Sequence, residues 1–167
     1  MNRNRKLRLT QHSYFSLDKL RGDVHLGMVQ GNAGRVIVAN LSRGSDLLES
    51  LEKLASESNV VGGIFTAIGA VGKAAFTYYD QTNREYVSIT MDEELEIVSC
   101  SGNFGVLDGR PKIHCHVVFS DRKGRAFGGH LTKGTEVFVG EVHLMEVGGV
   151  ELERKEDPAT GIAMLGF

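Results

Sequence analysis

Ile113-His114-Cys115-His116-Val117-Val118-Phe119, Ser120-Asp121-Arg122-Lys123-Gly124-Arg125, Ala126-Phe127-Gly128-Gly129-His130: this stretch reads as two β-strands joined by a tight turn. The first run is apolar and β-branched, and the middle is made of turn formers. Arg122-Lys123-Gly124 fits a three-residue hairpin loop, a type I turn followed by a glycine in the left-handed conformation. That loop sets a register in which Asp121 faces Arg125, Phe119 faces Phe127 and His116 faces His130. Alternate strand residues share a face, so His114 and His116 point one way and Cys115 the other. Directly opposed Cβ atoms lie about 4.5–5.5 Å apart, and His114 is the diagonal neighbour of His130. Three imidazoles therefore meet on one face of a sheet.

Two readings of that cluster stay open. Three neutral imidazoles leave a fourth position for water or substrate, the geometry of an open zinc site, and Gly128-Gly129 removes side-chain bulk beside it, as a ligand or a partner backbone requires. Histidine pairs of this spacing also serve as hydrogen-bonded sheet residues or line subunit interfaces, and a slip of one residue turns His130 to the far face. Glu136, Glu141 and Asp108 are the acids available to orient a metal-bound imidazole. His143, on a later strand, is placed to join the cluster, whereas His12 and His25 lie outside the pattern.

Outward from the hairpin, residues 35–41 form a first strand. Ser45 or Asp46 then caps a helix whose stripe of Leu47, Leu48, Leu51, Leu54 and Ala55 faces a sheet, ending near Ser58-Asn59. Strands follow at 60–70, 73–80, 85–91, 94–102, 113–120, 125–132 and 136–147. The fourth of these places Leu95, Ile97 and Ser99 on one face and Glu96, Val98 and Cys100 on the other. Residues 1–34 read as an extension that is basic at its start, 35–147 as the domain, and 148–167 as a segment packed on it or partly disordered, with Lys155-Glu156-Asp157-Pro158 as loop. One helix and about seven strands predict an α+β domain with a largely antiparallel sheet.

Composition narrows the function classes. The 167 residues carry a net charge of −2, so no general excess of positive charge is present to hold nucleic acid. A local excess exists in Arg3, Arg5, Lys6 and Arg8. Twenty-one glycines suit a β-rich chain with many turns. Two cysteines, Cys100 and Cys115, sit in apolar runs without metal or redox spacing and read as buried thiols. No apolar run reaches the ~20 residues of a membrane span, and no secretory leader pattern is present, which predicts a cytoplasmic protein without a membrane partner. No motif indicates an organic cofactor.

Taken together, residues 35–41, Gly44-Ser45-Asp46-Leu47-Leu48, Ile68-Gly69-Ala70-Val71, Leu95-Glu96-Ile97-Val98-Ser99, Ser101-Gly102-Asn103, Ile113-His114-Cys115-His116 and Gly128-Gly129-His130 resemble the PPC domain, the plant and prokaryote conserved domain. The resemblance runs in order from about residue 35 to 147. It implies an α+β fold with a central antiparallel sheet and flanking helices, assembled as a homotrimer. Plant relatives carry AT-hooks that bind DNA and use the domain for assembly with regulatory proteins. Prokaryotic relatives stand alone and carry a DNA-binding label by analogy. A metal, zinc or another divalent transition ion, is implied for His114, His116 and His130. An AT-hook needs an Arg-Gly-Arg-Pro core, and Asp108-Gly109-Arg110-Pro111 departs from it at the first position.

Three functions follow as expectations. The first is a stand-alone, trimeric, DNA-associated or regulatory assembly module in which Arg3, Arg5, Lys6 and Arg8 contact phosphates. The second is a metal-dependent enzyme or small-molecule binder using the three histidines, with Glu96 or Glu141 as acid–base groups and the ion polarising a carbonyl or phosphate or activating water. In the third the histidines line a trimer interface and tune assembly at about pH 6–7.

Overall fold

Asp46 sets the start of the one helix among the described residues, which in this computed structural model run from 27 to 166. Its side chain accepts a hydrogen bond from the Glu49 N–H at 2.9 Å, satisfying one of the free donors of the first turn. The helix α1 (Leu47–Glu57) ends at Ser58, after which Asn59 turns with φ of 53°. Leu47, Leu51 and Ala55 are buried, with Leu48 and Leu54 packed at the margin, so the expected stripe faces the core. Glu49 bonds Lys133 Nζ rather than closing a reciprocal capping box.

Nine strands make up the rest of the regular structure among the described residues: β1 (Asn32–Leu41), β2 (Gly63–Asp80), β3 (Glu85–Met91), β4 (Leu95–Leu107), β5 (Arg110–Ser120), β6 (Ala126–Leu131), β7 (Glu136–Gly148), β8 (Glu153–Asp157) and β9 (Ile162–Gly166). They run in the order β1-β7-β2-β6-β5-β4-β8-β9, with β3 paired to β2. This corrects the expected α+β domain of about seven strands with flanking helices: the protein is mostly β, and its sheet is mixed because β8 meets β4 in parallel at Val106 and Glu153.

Three local departures explain the difference. Residues 60–70 and 73–80 do not form two strands; residues 63–80 are one long strand that bends at bulges. Gly69, at φ of 146°, allows the bend, since a Cβ there would lie 2.1 Å from the Val139 carbonyl oxygen. In β4 the pairing shifts between Ile97 and Ser99, so Cys100 rather than Ser99 joins Leu95 and Ile97 in the core. The stretch expected as loop, Lys155-Glu156-Asp157, lies in β8, and only Pro158 sits in the turn. Charge hides that strand from a pattern reading. Lys155 pairs with Glu153 at 3.2 Å, and Asp157 accepts from Ala159 N and Thr160 Oγ1 to close the hairpin.

Strand β2 explains how the histidine strands are held. Its first half pairs with β4 and β7, its second half with β3, and Phe76 and Thr77 pair with Leu131 and His130 of β6. Because β4 pairs β5 and β5 pairs β6, strands β2, β4, β5 and β6 close a ring. The core behind it holds Phe65 against Phe104 at 5.1 Å and Phe76 against Phe119 at 5.9 Å. Cys100 and Cys115 are buried free thiols in the same core, as their apolar settings predicted.

Candidate metal centre

The turn chemistry that predicts the hairpin is the chemistry found. Gly124 has φ of 73°, its N–H donates to the Asp121 carbonyl at 2.8 Å, and Asp121 N–H donates to the Arg125 carbonyl at 3.1 Å. The buried Asp121 carboxylate also accepts from Lys123 N at 2.8 Å, Arg125 N at 3.0 Å and Arg125 Nε at 2.6 Å. Burial pushes the Asp121 carboxyl pKa up, but the Arg125 and Lys123 hydrogen bonds together outweigh it and hold it below the ordinary value. A depressed folded-state value means the group stabilises above its unfolded pKa of about 3.9 and loses that contribution as pH falls through the lower folded value. Asp121→Asn is therefore expected to melt at lower temperature than wild type at pH 7, with the gap closing towards pH 2; parallel thermal unfolding at the two pH values checks it.

The register follows: His116 faces His130 and Phe119 faces Phe127. His114 faces Asn103 of β4, His116 faces Ser101, and His130 also faces Thr77 of β2. Ring centroids lie 5.5 Å apart for His114 and His116, 5.1 Å for His114 and His130, and 5.6 Å for His116 and His130. The first pair is stacked, and His130 stands edge-on to both. One ring nitrogen from each lies within 4.8 Å of the other two. Nitrogens about 2.0–2.1 Å from a shared tetrahedral ion sit about 3.4 Å apart, so closure on an ion would ask the three nitrogens to draw closer together.

Gly128 and Gly129 owe their place to the sheet. A Cβ on Gly128 would lie 1.9 Å from the Val117 carbonyl oxygen, and one on Gly129 would lie 2.5 Å from that of Thr77. Of the two reasons expected for the glycine pair, partner backbone is the one seen: β6 is squeezed between β5 and β2.

The surroundings disfavour the charged form of His114 and His130. Burial, then the charges of His114, His116, Lys112 and Arg154, push His130 down to about 4. Burial, then Arg154 and His116, lower His114. A metal ligand must be the neutral base, so this donor set fits a divalent transition ion. Among the described residues no hydrogen bond occupies a ring nitrogen of the three histidines, which leaves them free to ligate.

Other expected participants lie elsewhere. His143 pairs with Thr66, which pairs with Ser101, which pairs with His116, so it stands three strands away, about 14 Å at the usual strand spacing. Glu96 and Glu136 line a separate cleft of about 460 Å³ with Arg43 and Arg122. Glu141 shares a shallow depression with Glu96 and Ile68, and Asp108 sits in the β4–β5 turn at φ of 51°. None of these acids reaches the histidines. Arg3, Arg5, Lys6 and Arg8 lie outside the described residues.

One neighbour escaped the sequence reading. Arg154 of β8 is buried beside His114, with Nε donating to the Lys112 carbonyl at 3.4 Å, Nη1 to that of Ala163 at 3.3 Å, and Nη2 to Asn103 Oδ1. It lies in the charged tail, where no pattern marked it.

Residues 28–148 match the Plants and Prokaryotes Conserved (PCC) domain. The chain belongs to this family. Among solved structures, the metal-containing protein of Archaeoglobus fulgidus is 34% identical with a TM-score of 0.80, covering 85% of this chain and all of that one. A PPC protein of Pyrococcus horikoshii is 29% identical with a TM-score of 0.79, covering 85% of this chain and 98% of that one. A Ralstonia eutropha protein named as a candidate DNA-binding protein is 27% identical with a TM-score of 0.69, covering 78% of this chain and 90% of that one. The bifunctional protein GlmU of a Synechococcus strain is 33% identical over 129 residues, which are 76% of this chain. This PCC chain spans about a fifth of the length of the curated relatives it matches. Among its described residues no helix is long and apolar enough to cross a membrane.

Proposed function

We propose that this PCC domain is a metal-binding module in which His114, His116 and His130 hold one divalent transition ion, zinc foremost. The observation that carries the reading is the convergence of three imidazoles from β5 and β6 on one face, with no hydrogen bond to a ring nitrogen among the described residues. The metal-containing Archaeoglobus relative supports it. A bound ion supplies an open, positively charged coordination position. The chain supplies rigid placement, because each histidine sits in a strand paired on both sides. Elemental analysis of the purified protein tests the reading. One zinc-like ion per chain in wild type, and none in His116→Ala, is the expected result; no stoichiometric metal after reconstitution of wild type contradicts it.

The working unit is a homotrimer. Supporting this, Val36 and Val38 of β1, Ile64 and Ile68 of β2 and Val139 of β7 are exposed large apolar residues on one face of neighbouring strands. Sedimentation should give about 55 kDa for three chains of 18.2 kDa, and Ile64→Asp should release monomers. A wild-type monomer rejects the assembly. The two reduced core thiols suit a cytoplasmic site of action.

A second reading, association with DNA, is favoured by the name of the Ralstonia relative. Arg3, Arg5, Lys6 and Arg8, repeated three times in a trimer, would turn a weak phosphate contact into a useful one. Deleting residues 1–8 should then abolish salt-sensitive DNA binding; unchanged binding removes this role.

A further inference from the structure

We propose that the cavity beside the three histidines is an oxyanion site in which Arg154 grips the carboxylate or phosphate of a small ligand. The proposal deepens the metal reading and rests on it only for the ion's share of the binding.

Arg154 is the least expected charge in the fold. Only 5% of its surface is exposed, and its three protein partners are the neutral oxygens of Lys112, Ala163 and Asn103. No carboxylate pairs with it among the described residues. A buried guanidinium without a counter-charge is costly to keep, and such groups are otherwise found paired. The three bonds leave two of its five N–H donors without a protein acceptor.

The place those donors can serve is a cavity of about 160 Å³ lined by Tyr86, Lys112, His114, His130, Arg154 and Ile162. At roughly 30 Å³ per water it holds about five, the size of a small organic acid or a phosphate. Lys112 and Arg154 are cations in its lining, and no carboxylate lines it. Lys112 is already paired with Glu52 at 3.2 Å, so Arg154 carries the unbalanced charge. Ile162 and Ala163 supply an apolar wall from β9, and two histidines of the metal centre form another side. A ligand held there by Arg154 has its remaining atoms against His114 and His130, where an ion bound to the histidines meets it.

The β8–β9 hairpin thereby gains a role. It carries Arg154 on one strand and the apolar wall on the other, and its contact with β4 sets the guanidinium beside Asn103. Planar, forked donors suit a carboxylate or phosphate better than a point charge does, so lysine is no equal substitute.

The test is a titration of acetate, inorganic phosphate and glycerol into full-length protein, zinc-loaded and metal-free, following the imidazole NMR signals of His114 and His130 in the metal-free form and calorimetry in both. Saturable binding of acetate or phosphate, with glycerol inert, is expected; whichever anion binds more tightly identifies the ligand class. Arg154→Met should lose about tenfold or more in anion affinity while keeping its zinc stoichiometry, and Arg154→Lys should lose most of the same. The lysine variant keeps the charge, so it reads the fork even where the methionine variant fails to fold. No saturable anion binding by metal-free wild type, or undiminished affinity in a folded Arg154 variant, overturns the proposal. Failure of wild type to take up zinc overturns the metal reading alone, because the metal-free titration still reports on Arg154.

Discussion

Gly128→Ala is expected to unfold this protein or leave it barely stable. The added Cβ would sit 1.9 Å from the Val117 carbonyl oxygen, 2.9 Å from the Val117 carbonyl carbon and 3.0 Å from the Val118 Cα. All three are backbone atoms, so no rotamer change relieves the clash. Strand β6 must lift from β5, which breaks the pairing from His116 and His130 to Ser120 and Ala126 and pulls Leu131 from the core. The cost is on the order of 4 kcal/mol or more, a large share of the ~5–15 kcal/mol that holds a domain together. Gly124→Ala is the control: its φ of 73° is strained for alanine, but nothing lies within 4 Å of the new Cβ. It should cost about 1 kcal/mol. Urea unfolding of the two variants checks the contrast, and a Gly128→Ala protein as stable as Gly124→Ala would show that β5 and β6 do not pair as described.

Metal removal is expected to have the second large effect. An ion present at about 1,000 times its Kd stabilises the folded chain by about 4 kcal/mol, because the unfolded chain does not gather the three histidines. For a chain of this size each kcal/mol moves the melting temperature by about 2–4 °C, so a chelator should lower it by about 8–16 °C. His130→Ala should melt at the same temperature with and without chelator. Cys115→Ala keeps the response, since Cys115 points into the core on the opposite face from His114 and His116. Wild type that melts identically with and without chelator would contradict a structural contribution from the ion.

Much of the site was legible in the sequence because local turn chemistry propagates through a strand. Asp121 and Gly124 dictate the loop, the loop dictates the register, and the two-residue period carries that register out to His116 and His130. Periodicity failed where the backbone breaks its own period. The bulge after Ile97 turned Cys100 inward in place of Ser99, and the bend at Gly69 joined two apparent strands into β2. The tail failed for a different reason. Glu153, Lys155 and Glu156 are exposed, so β8 has no apolar alternation to reveal it, and its one inward charge, Arg154, is indistinguishable in sequence from its solvated neighbours. The flanking helices expected from family resemblance gave way to a β-hairpin of charged residues.

X-ray absorption at the zinc edge of the reconstituted protein tests the central claim most directly. Three imidazole nitrogens at about 2.0–2.1 Å, with no sulfur in the coordination sphere, are expected, and His114→Ala should lower the imidazole count by one or lose the ion. A sulfur ligand at about 2.3 Å, or an unchanged coordination sphere in that variant, would place the metal elsewhere and contradict the account.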